Sequence, residues 1–278
     1  PRADILLQVA ASRFALDLPR SASDALARID PTRLTERERF AFFELANSIH
    51  HRLFQFDRAL DFAAQETVLL NDAWSARLHS ASTLAAMGNR TGLLGLIGDL
   101  DIPVAARTLL LERVVGELRA HGTPDLADSL QGELVEAYRE LLRLAPQSSE
   151  YRLGLARSLY RMGRADLASE LVRGLLGRMG RNPTSLGLQG TILARLGNAE
   201  AALNVMENLN TFDRPGDPGR SRYEQSRIAT ALDDWNLAID LLIEAHQQGV
   251  DLYPTHADPD FIRLQDFGPY RVLIRPKG

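Results

Sequence analysis

Apolar residues recur at intervals of three and four in one segment of the chain after another, the spacing that lays a single stripe along an α-helix. The pattern is clearest between Tyr151 and Gly180. Leu155, Ala156 and Leu159 lead into Met162-Gly163-Arg164, after which Ala168, Leu171, Val172, Leu175 and Leu176 resume the stripe. This predicts two helices joined at Gly163, where a positive φ ends the first helix without a Cβ clash. Leu186, Gly190, Leu193, Gly197 and Ala202 repeat the arrangement, with Pro183 where a helix would start.

The repeat has a register. Ala25, Ala59, Leu93 and Ala127 stand 34 positions apart in succession, and Phe54, Gly88 and Gly122 precede the last three by five. After a gap of 41 the series resumes with Gly163/Ala168 and Gly197/Ala202, and it ends 36 later with Asp233/Ala238. Seven helical hairpins therefore account for nearly all of the 278 residues. The small residue of each pair marks where the two helices of a hairpin cross closely. Because each hairpin buries its apolar face only against its neighbours, a chain of this length need not split into separate cores.

Departures from the register carry their own predictions. The residues added between Gly122 and Gly163 keep helical periodicity from Pro124 to Leu144, which predicts one long helix and a bend between four hairpins over 1–144 and three over 145–254. Gly92, Gly95 and Gly98 are expected in the second helix of the third hairpin. There each would lower helix stability by up to ~1 kcal/mol relative to alanine and let a neighbour approach closely. The turn formers from Asp213 to Gly219 predict a break before the seventh hairpin. In the tail, residues 255–278, prolines limit the chain to two short helices, roughly 259–264 and 269–274. Phe261, Leu264, Phe267, Tyr270 and Leu273 should point inward there and cover the last apolar face.

The segments from Leu155 to Ala168 and from Leu193 to Leu203 resemble tetratricopeptide repeats, whose length is 34 residues. The resemblance implies an all-α, right-handed superhelical solenoid of about seven hairpins with a short C-terminal capping segment. It also implies a protein-interaction module in which positions 2, 5, 9, 12 and 13 of each first helix line a concave groove. Counting each turn residue as position 15 places Arg157, Tyr160, Arg161, Arg195, Arg220, Tyr223 and Arg227 in that groove. Over the second to seventh hairpins 7 of 30 such positions are arginine, the five just named with Arg52 and Arg119, against 31 of 278 residues in the chain. The implied ligand is a protein or peptide segment that is acidic or carries a free carboxylate. Arginine's planar fork holds a carboxylate through two parallel hydrogen bonds, and tyrosine adds rigid apolar contact. The tail, His256-Ala257-Asp258-Pro259-Asp260-Phe261 with Pro269-Tyr270 and Arg275-Pro276, is similar to the closing segments of bacterial receptor-type serine/threonine kinases and tetratricopeptide-type transcriptional activators. On that resemblance the chain is the C-terminal interaction region of a larger bacterial regulatory protein.

Composition supports a helical binding protein. Leu and Ala dominate, and aromatics are only 6% of residues, a balance that favours helix throughout. There is no cysteine, so neither a disulfide nor a thiolate metal site can form. No two of the six histidines stand four apart, which argues against a zinc helix, and no metal or cofactor is expected. His50 falls where the repeat carries a buried aromatic and is expected to serve packing. Acidic residues are expected on helix exteriors. Neither a nucleophile elbow nor a phosphate-binding loop is present, so catalysis is not expected.

The net charge of −4 makes the chain a poor general binder of phosphate backbones, and nucleic acid is not an expected partner. Residues 1–150 carry 16 basic and 21 acidic side chains, net −5, and residues 151–278 carry 16 and 15, net +1. A basic patch therefore belongs to the second half. No run approaches the ~20 apolar residues of a membrane span. A cytoplasmic location is expected, or an extracytoplasmic one if a membrane segment lies upstream. Two other readings stay open: a solenoid whose flanks dock neighbouring subunits without a peptide ligand, and a helical repeat that reads single-stranded RNA.

Overall fold

A computed structural model describes residues 2–70, 73–98, 102–179, 182–212 and 219–276. Among these residues every regular element is helical, and two compact units emerge: Pro1–Asp101 with Arg275–Gly278, and Ile102–Ile274. The first unit holds α1 (Ala3–Ala15), α2 (Pro19–Leu26), α3 (Glu36–Arg52), α4 (Phe56–Leu70), α5 (Ala73–Ala86) and α6 (Arg90–Gly98). The second holds α7 (Val104–Ala120), α8 (Pro124–Leu144), α9 (Ser149–Arg161), α10 (Ala165–Met179), α11 (Pro183–Arg195), α12 (Ala199–Leu209), α13 (Arg220–Ala231), α14 (Trp235–Gln247) and α15 (Gly268–Ile274). Within each unit, consecutive helices pack as hairpins and each hairpin packs on the next.

Local chemistry sets the helix ends. Thr35 caps α3 through a reciprocal box: the Glu38 N–H donates to Thr35 Oγ1, and the Thr35 N–H donates to Glu38 Oε2 at 2.9 Å. Between the helices of a hairpin the chain turns through one residue in the left-handed region. Gly88, Gly122, Gly163 and Gly197 fill that position at φ between 67° and 82°, and Asp17, Phe54 and Asp233 hold it at 57° to 62° without being glycine. Five residues further on, Ala22, Ala59, Leu93, Ala127, Ala168, Ala202 and Ala238 are fully buried. The register thus marks the helix crossing from the second hairpin onward, including the third, where a leucine occupies it. In the first hairpin it is three residues out, since the turn falls at Asp17 and the crossing at Ala22 rather than Ala25.

The structure corrects several sequence expectations. Gly92, Gly95 and Gly98 do lie in α6, but they admit no neighbouring element. A Cβ at Gly95 or Gly98 would meet nothing within 4 Å, and one at Gly92 would meet only the Asn89 side chain. Nor are the acids all on helix exteriors. Glu66 is fully buried in the first unit, accepting from Ser75 Oγ at 2.5 Å and lying 3.1 Å from His79 Nδ1, with Glu44 3.8 Å from His79 Nε2. This group ties α3, α4 and α5 together. His50 is buried and stacks on Phe62 at 5.1 Å, its Nδ1 2.7 Å from Gln55 Oε1; burial lowers its pKa, and the Gln55 contact opposes the shift only in part. Arg52, counted among the groove arginines, is buried in a 2.8 Å ion pair with Asp17. The predicted break at Asp213–Pro218 lies outside the described residues.

The tail departs furthest from expectation. α15 covers Gly268–Ile274, but the helix expected from Pro259 is reduced to a 3-10 turn at Ile262–Leu264. Pro259 has no N–H to donate, and the Asp260 N–H is taken by Asp258 Oδ1 at 3.1 Å, a side chain competing with the helical ladder. Phe261, Leu264 and Tyr270 are fully buried in one core with Tyr223, Ile228, Ile239 and Leu242 of α13 and α14. They cover the last hairpin. Residues 253–267 also run as a strap along the first helices of the second unit, as far back as α7. There the Ala257 carbonyl lies over Gly116, which a side chain would crowd, and Gln265 Nε2 donates to the Ala120 carbonyl. Among the described residues no helix is long and apolar enough to cross a membrane.

Candidate functional site

The first helices α9, α11 and α13 bring their arginines and tyrosines to one face of the second unit, and that face carries the strap. At its centre Arg227, only 3% exposed, holds Asp260 Oδ2 through Nη2 at 2.7 Å and Nε at 2.9 Å. Its Nη1 lies 3.2 Å from Glu224 Oε2, and its Nε lies 3.5 Å from Asp258 Oδ2. The Tyr223 hydroxyl donates to Asp258 Oδ2 at 3.0 Å, and the Tyr160 hydroxyl donates to Asp260 Oδ1 at 2.9 Å. Arg161 Nη2 approaches Asp258 Oδ1 to 3.8 Å. The carboxylates that these side chains hold lie within the chain itself, in Asp258-Pro259-Asp260.

Electrostatics follow from this packing. Burial penalises the charged form of Arg227, yet Asp258, Asp260 and Glu224 outweigh it and hold its pKa well above the usual arginine value. Burial would likewise raise Asp258, but Arg227 and Arg161 hold its carboxyl below the ordinary range. Tyr160 and Tyr223 are shifted upward, by burial first and by the neighbouring aspartates second, so both phenols stay protonated as donors. Arg161, unlike Arg227, is an arginine shifted down. Its desolvation exceeds the pull of Asp258, and Arg157 and Arg227 add repulsion.

The remaining predicted residues take three different places. Arg220 pairs with the buried Glu224 at 2.8 Å, its guanidinium 5.5 Å from the centre of the Tyr223 ring, and so reaches the strap indirectly, through Glu224 to Arg227 and through Tyr223. Arg195 is exposed at the end of α11, and its Nε donates to the Tyr160 hydroxyl at 3.3 Å. Arg157 touches neither aspartate, and its Nε is buried without a hydrogen-bond partner. Glycine makes room for the network. A Cβ at Gly187 of α11 would overlap the Glu224 side chain, and one at Gly154 of α9 would overlap the ring of Tyr138, whose hydroxyl donates to Glu112 at 2.5 Å.

Sequence reasoning missed the acids of this site, because the groove register says which way a residue faces and not what fills the groove. The signal was the Asp-Pro-Asp of the tail. Arg119, one of the seven arginines counted at groove positions, joins Tyr160, Arg161, Arg195, Pro259 and Asp260 around an open cavity of about 430 Å³ beside the strap. Arg119 is mostly buried and pairs at 2.8 Å with Asp128, a side chain 72% exposed. At the far end of the strap, His256 Nε2 lies 3.3 Å and His121 Nε2 3.5 Å from Glu117 Oε2, so the strap is fastened to α7 as well.

No protein-family model and no curated protein sequence matches the chain. Among solved structures it is similar to a tetratricopeptide repeat protein from Parabacteroides merdae ATCC 43184, with a TM-score of 0.55 and 15% identity over 94% of this chain and 96% of that one. That likeness establishes the fold as a tetratricopeptide-like helical array. Yeast Tom70 aligns at a TM-score of 0.31 and 12% identity, over 98% of this chain and 67% of that one, too low a score to carry argument.

Proposed function

We propose that this chain is a protein-interaction scaffold whose second unit recognises an acidic segment of a partner on the face built by α7, α9, α11 and α13. The observation that carries this reading is the internal Asp-Pro-Asp. The arginine and tyrosine positions that tetratricopeptide folds turn toward a ligand already hold two carboxylates in a dry, hydrogen-bonded arrangement, which supports acid recognition as the chemistry of this face. With the strap in place Tyr223 and Arg227 are consumed internally, and the surface left for a partner is the rim of Arg119, Tyr160, Arg161 and Arg195. A pull-down with the intact chain tests the assignment, using Arg195→Glu and Arg119→Glu. Loss of the wild-type partner from both variants is expected, and unchanged recovery would sink the rim as the contact surface.

The same strap supports a second reading, in which a groove filled by its own chain needs no ligand and the hairpins dock neighbouring subunits. Light scattering over a concentration series separates the two: assembly that rises with concentration in the absence of any peptide favours docking. The resemblance of the tail further supports a place at the C-terminal end of a larger bacterial regulator acting in the cytoplasm. An immunoblot of native extract should then detect a polypeptide well above 30.8 kDa, and a band at that mass would refute it.

A further inference from the structure

We infer that the cavity beside the strap is a phosphoryl site, and that the partner segment read by the rim carries a phosphorylated side chain. This rests on the scaffold reading above and adds the identity of the group that enters the cavity.

Charge bookkeeping around the cavity leaves cations over. The three carboxylates of Asp258, Asp260 and Glu224 face the three cations of Arg227, Arg220 and Arg161, with the two tyrosines adding neutral hydrogen bonds. This leaves Arg195 and Arg157 without a carboxylate partner among the described residues. Arg195 then has one hydrogen bond, to the neutral Tyr160 oxygen, and makes no ion pair among the described residues. Arg161 has a single long approach to Asp258, a buried Nε with no hydrogen-bond partner, and two arginine neighbours that raise the cost of its charge. Arg119 spends its charge on a solvated aspartate, a pairing worth little. A guanidinium withdrawn from water and left short of partners, as at Arg161, is costly, and an oxyanion entering beside it recovers that cost.

The number of arginines favours phosphate over carboxylate. One planar carboxylate satisfies one guanidinium fork, whereas a phosphomonoester brings close to two charges and three acceptor oxygens that several guanidinium groups can share. Arginine clusters are a recurrent means of reading phosphorylated motifs. The opening also has a suitable size. About 430 Å³ admits a phosphorylated side chain with its local backbone, while the strap excludes an extended peptide from the rest of the face. Tyr160 contributes by geometry. Its proton goes to Asp260 and its oxygen receives Arg195 Nε, so the phenol fixes the Arg195 guanidinium by one edge and leaves the Nη groups for an anion.

Two measurements on the intact chain test this. Titration with inorganic phosphate, followed through the arginine Nε–Hε NMR signals, should shift Arg161 and Arg195 and leave Arg173 on α10 unmoved. Failure of either rim signal to move overturns the phosphoryl site. Fluorescence anisotropy then compares one labelled peptide carrying phosphoserine, serine or glutamate at the same position. The phosphoserine form should bind at least about tenfold more tightly than the glutamate form, the ratio that one further charge-assisted hydrogen bond supplies. Arg195→Ala, at an exposed position where folding is not at stake, should remove about that factor, and Arg173→Ala should remove none. Equal binding of the phosphoserine and glutamate peptides leaves the acidic-segment reading standing and overturns this inference. Phosphate shifts without phosphopeptide binding would assign the cavity to free phosphate and overturn the partner claim. No binding by any peptide, with rim variants that keep their partner in the pull-down, counts against both.

Discussion

Arg227 concentrates the physics of the second unit in one side chain. Three carboxylates converge on it in a region closed to water, so its removal leaves Asp258, Asp260 and Glu224 buried beyond what Tyr223, Tyr160 and Arg220 can compensate. Breaking a buried ion pair by removing one partner costs about 3–5 kcal/mol, because the remaining charge is stranded. Arg227→Met should therefore lower the unfolding free energy of this unit by about that amount. Trp235 packs on Phe267 of the strap at 5.6 Å and reports on it in urea titrations, with Trp74 replaced by phenylalanine to remove the other indole signal. Adding Asp258→Asn and Asp260→Asn to Arg227→Met should restore part of the loss, since the stranded charges go with it. A midpoint that barely moves in the single variant would show the network to be solvated. At this scale the sequence was legible in part. The register placed Arg227, Tyr223 and Tyr160 on one face, but the acids they meet lie 33, 35 and 100 positions away, and no local spacing encodes that.

Elements were legible wherever their ends and crossings are set locally. The turn residue and the small residue five positions later recur because a left-handed turn and a close helix crossing each make a demand on one position, and the long α8 follows from unbroken periodicity over 124–144. Glycines inside helices were not legible, because their meaning depends on a neighbour from another hairpin. Gly154 and Gly95 show the contrast. Gly154→Ala pushes a methyl into the Tyr138 ring, which its bond to Glu112 and its burial hold in place, and should destabilise by about 1–3 kcal/mol despite the helical preference of alanine. Gly95→Ala enters open space on α6 and should stabilise by up to ~1 kcal/mol. Thermal melts of the two single variants give opposite signs if the packing is as described, and the same sign if it is not. The failed Pro259 helix belongs to the same class: local prolines predicted where a helix would start, while the aspartates flanking Pro259 were committed to distant arginines instead.

Over the whole second unit, the strap ties the last hairpin to the fourth and makes stability depend on carboxylates that must stay ionised in the dry. Asp258 has its pKa depressed in the folded state, burial pushing it up and Arg227 and Arg161 pulling it further down. A group depressed on folding contributes stability that is complete above its unfolded value, about pH 4, and that fades as pH falls through the lower folded value. The stability of this unit should thus hold from neutrality to about pH 5 and decline below about pH 4. Asp258→Asn separates this contribution from the other carboxylates, which titrate in both proteins. At pH 7 the variant should be less stable than wild type, because it lacks the charge that faces Arg227 and Arg161. As pH falls below about 4, wild type loses the same charge by protonation and the two stability curves should converge. Urea midpoints from the Trp235 signal between pH 7 and pH 2 decide the matter. Parallel curves would mean that Asp258 carries no folding-linked proton, and the strap would then be held by its apolar residues, Phe261, Leu264 and Tyr270, with the buried ion network contributing selectivity rather than strength.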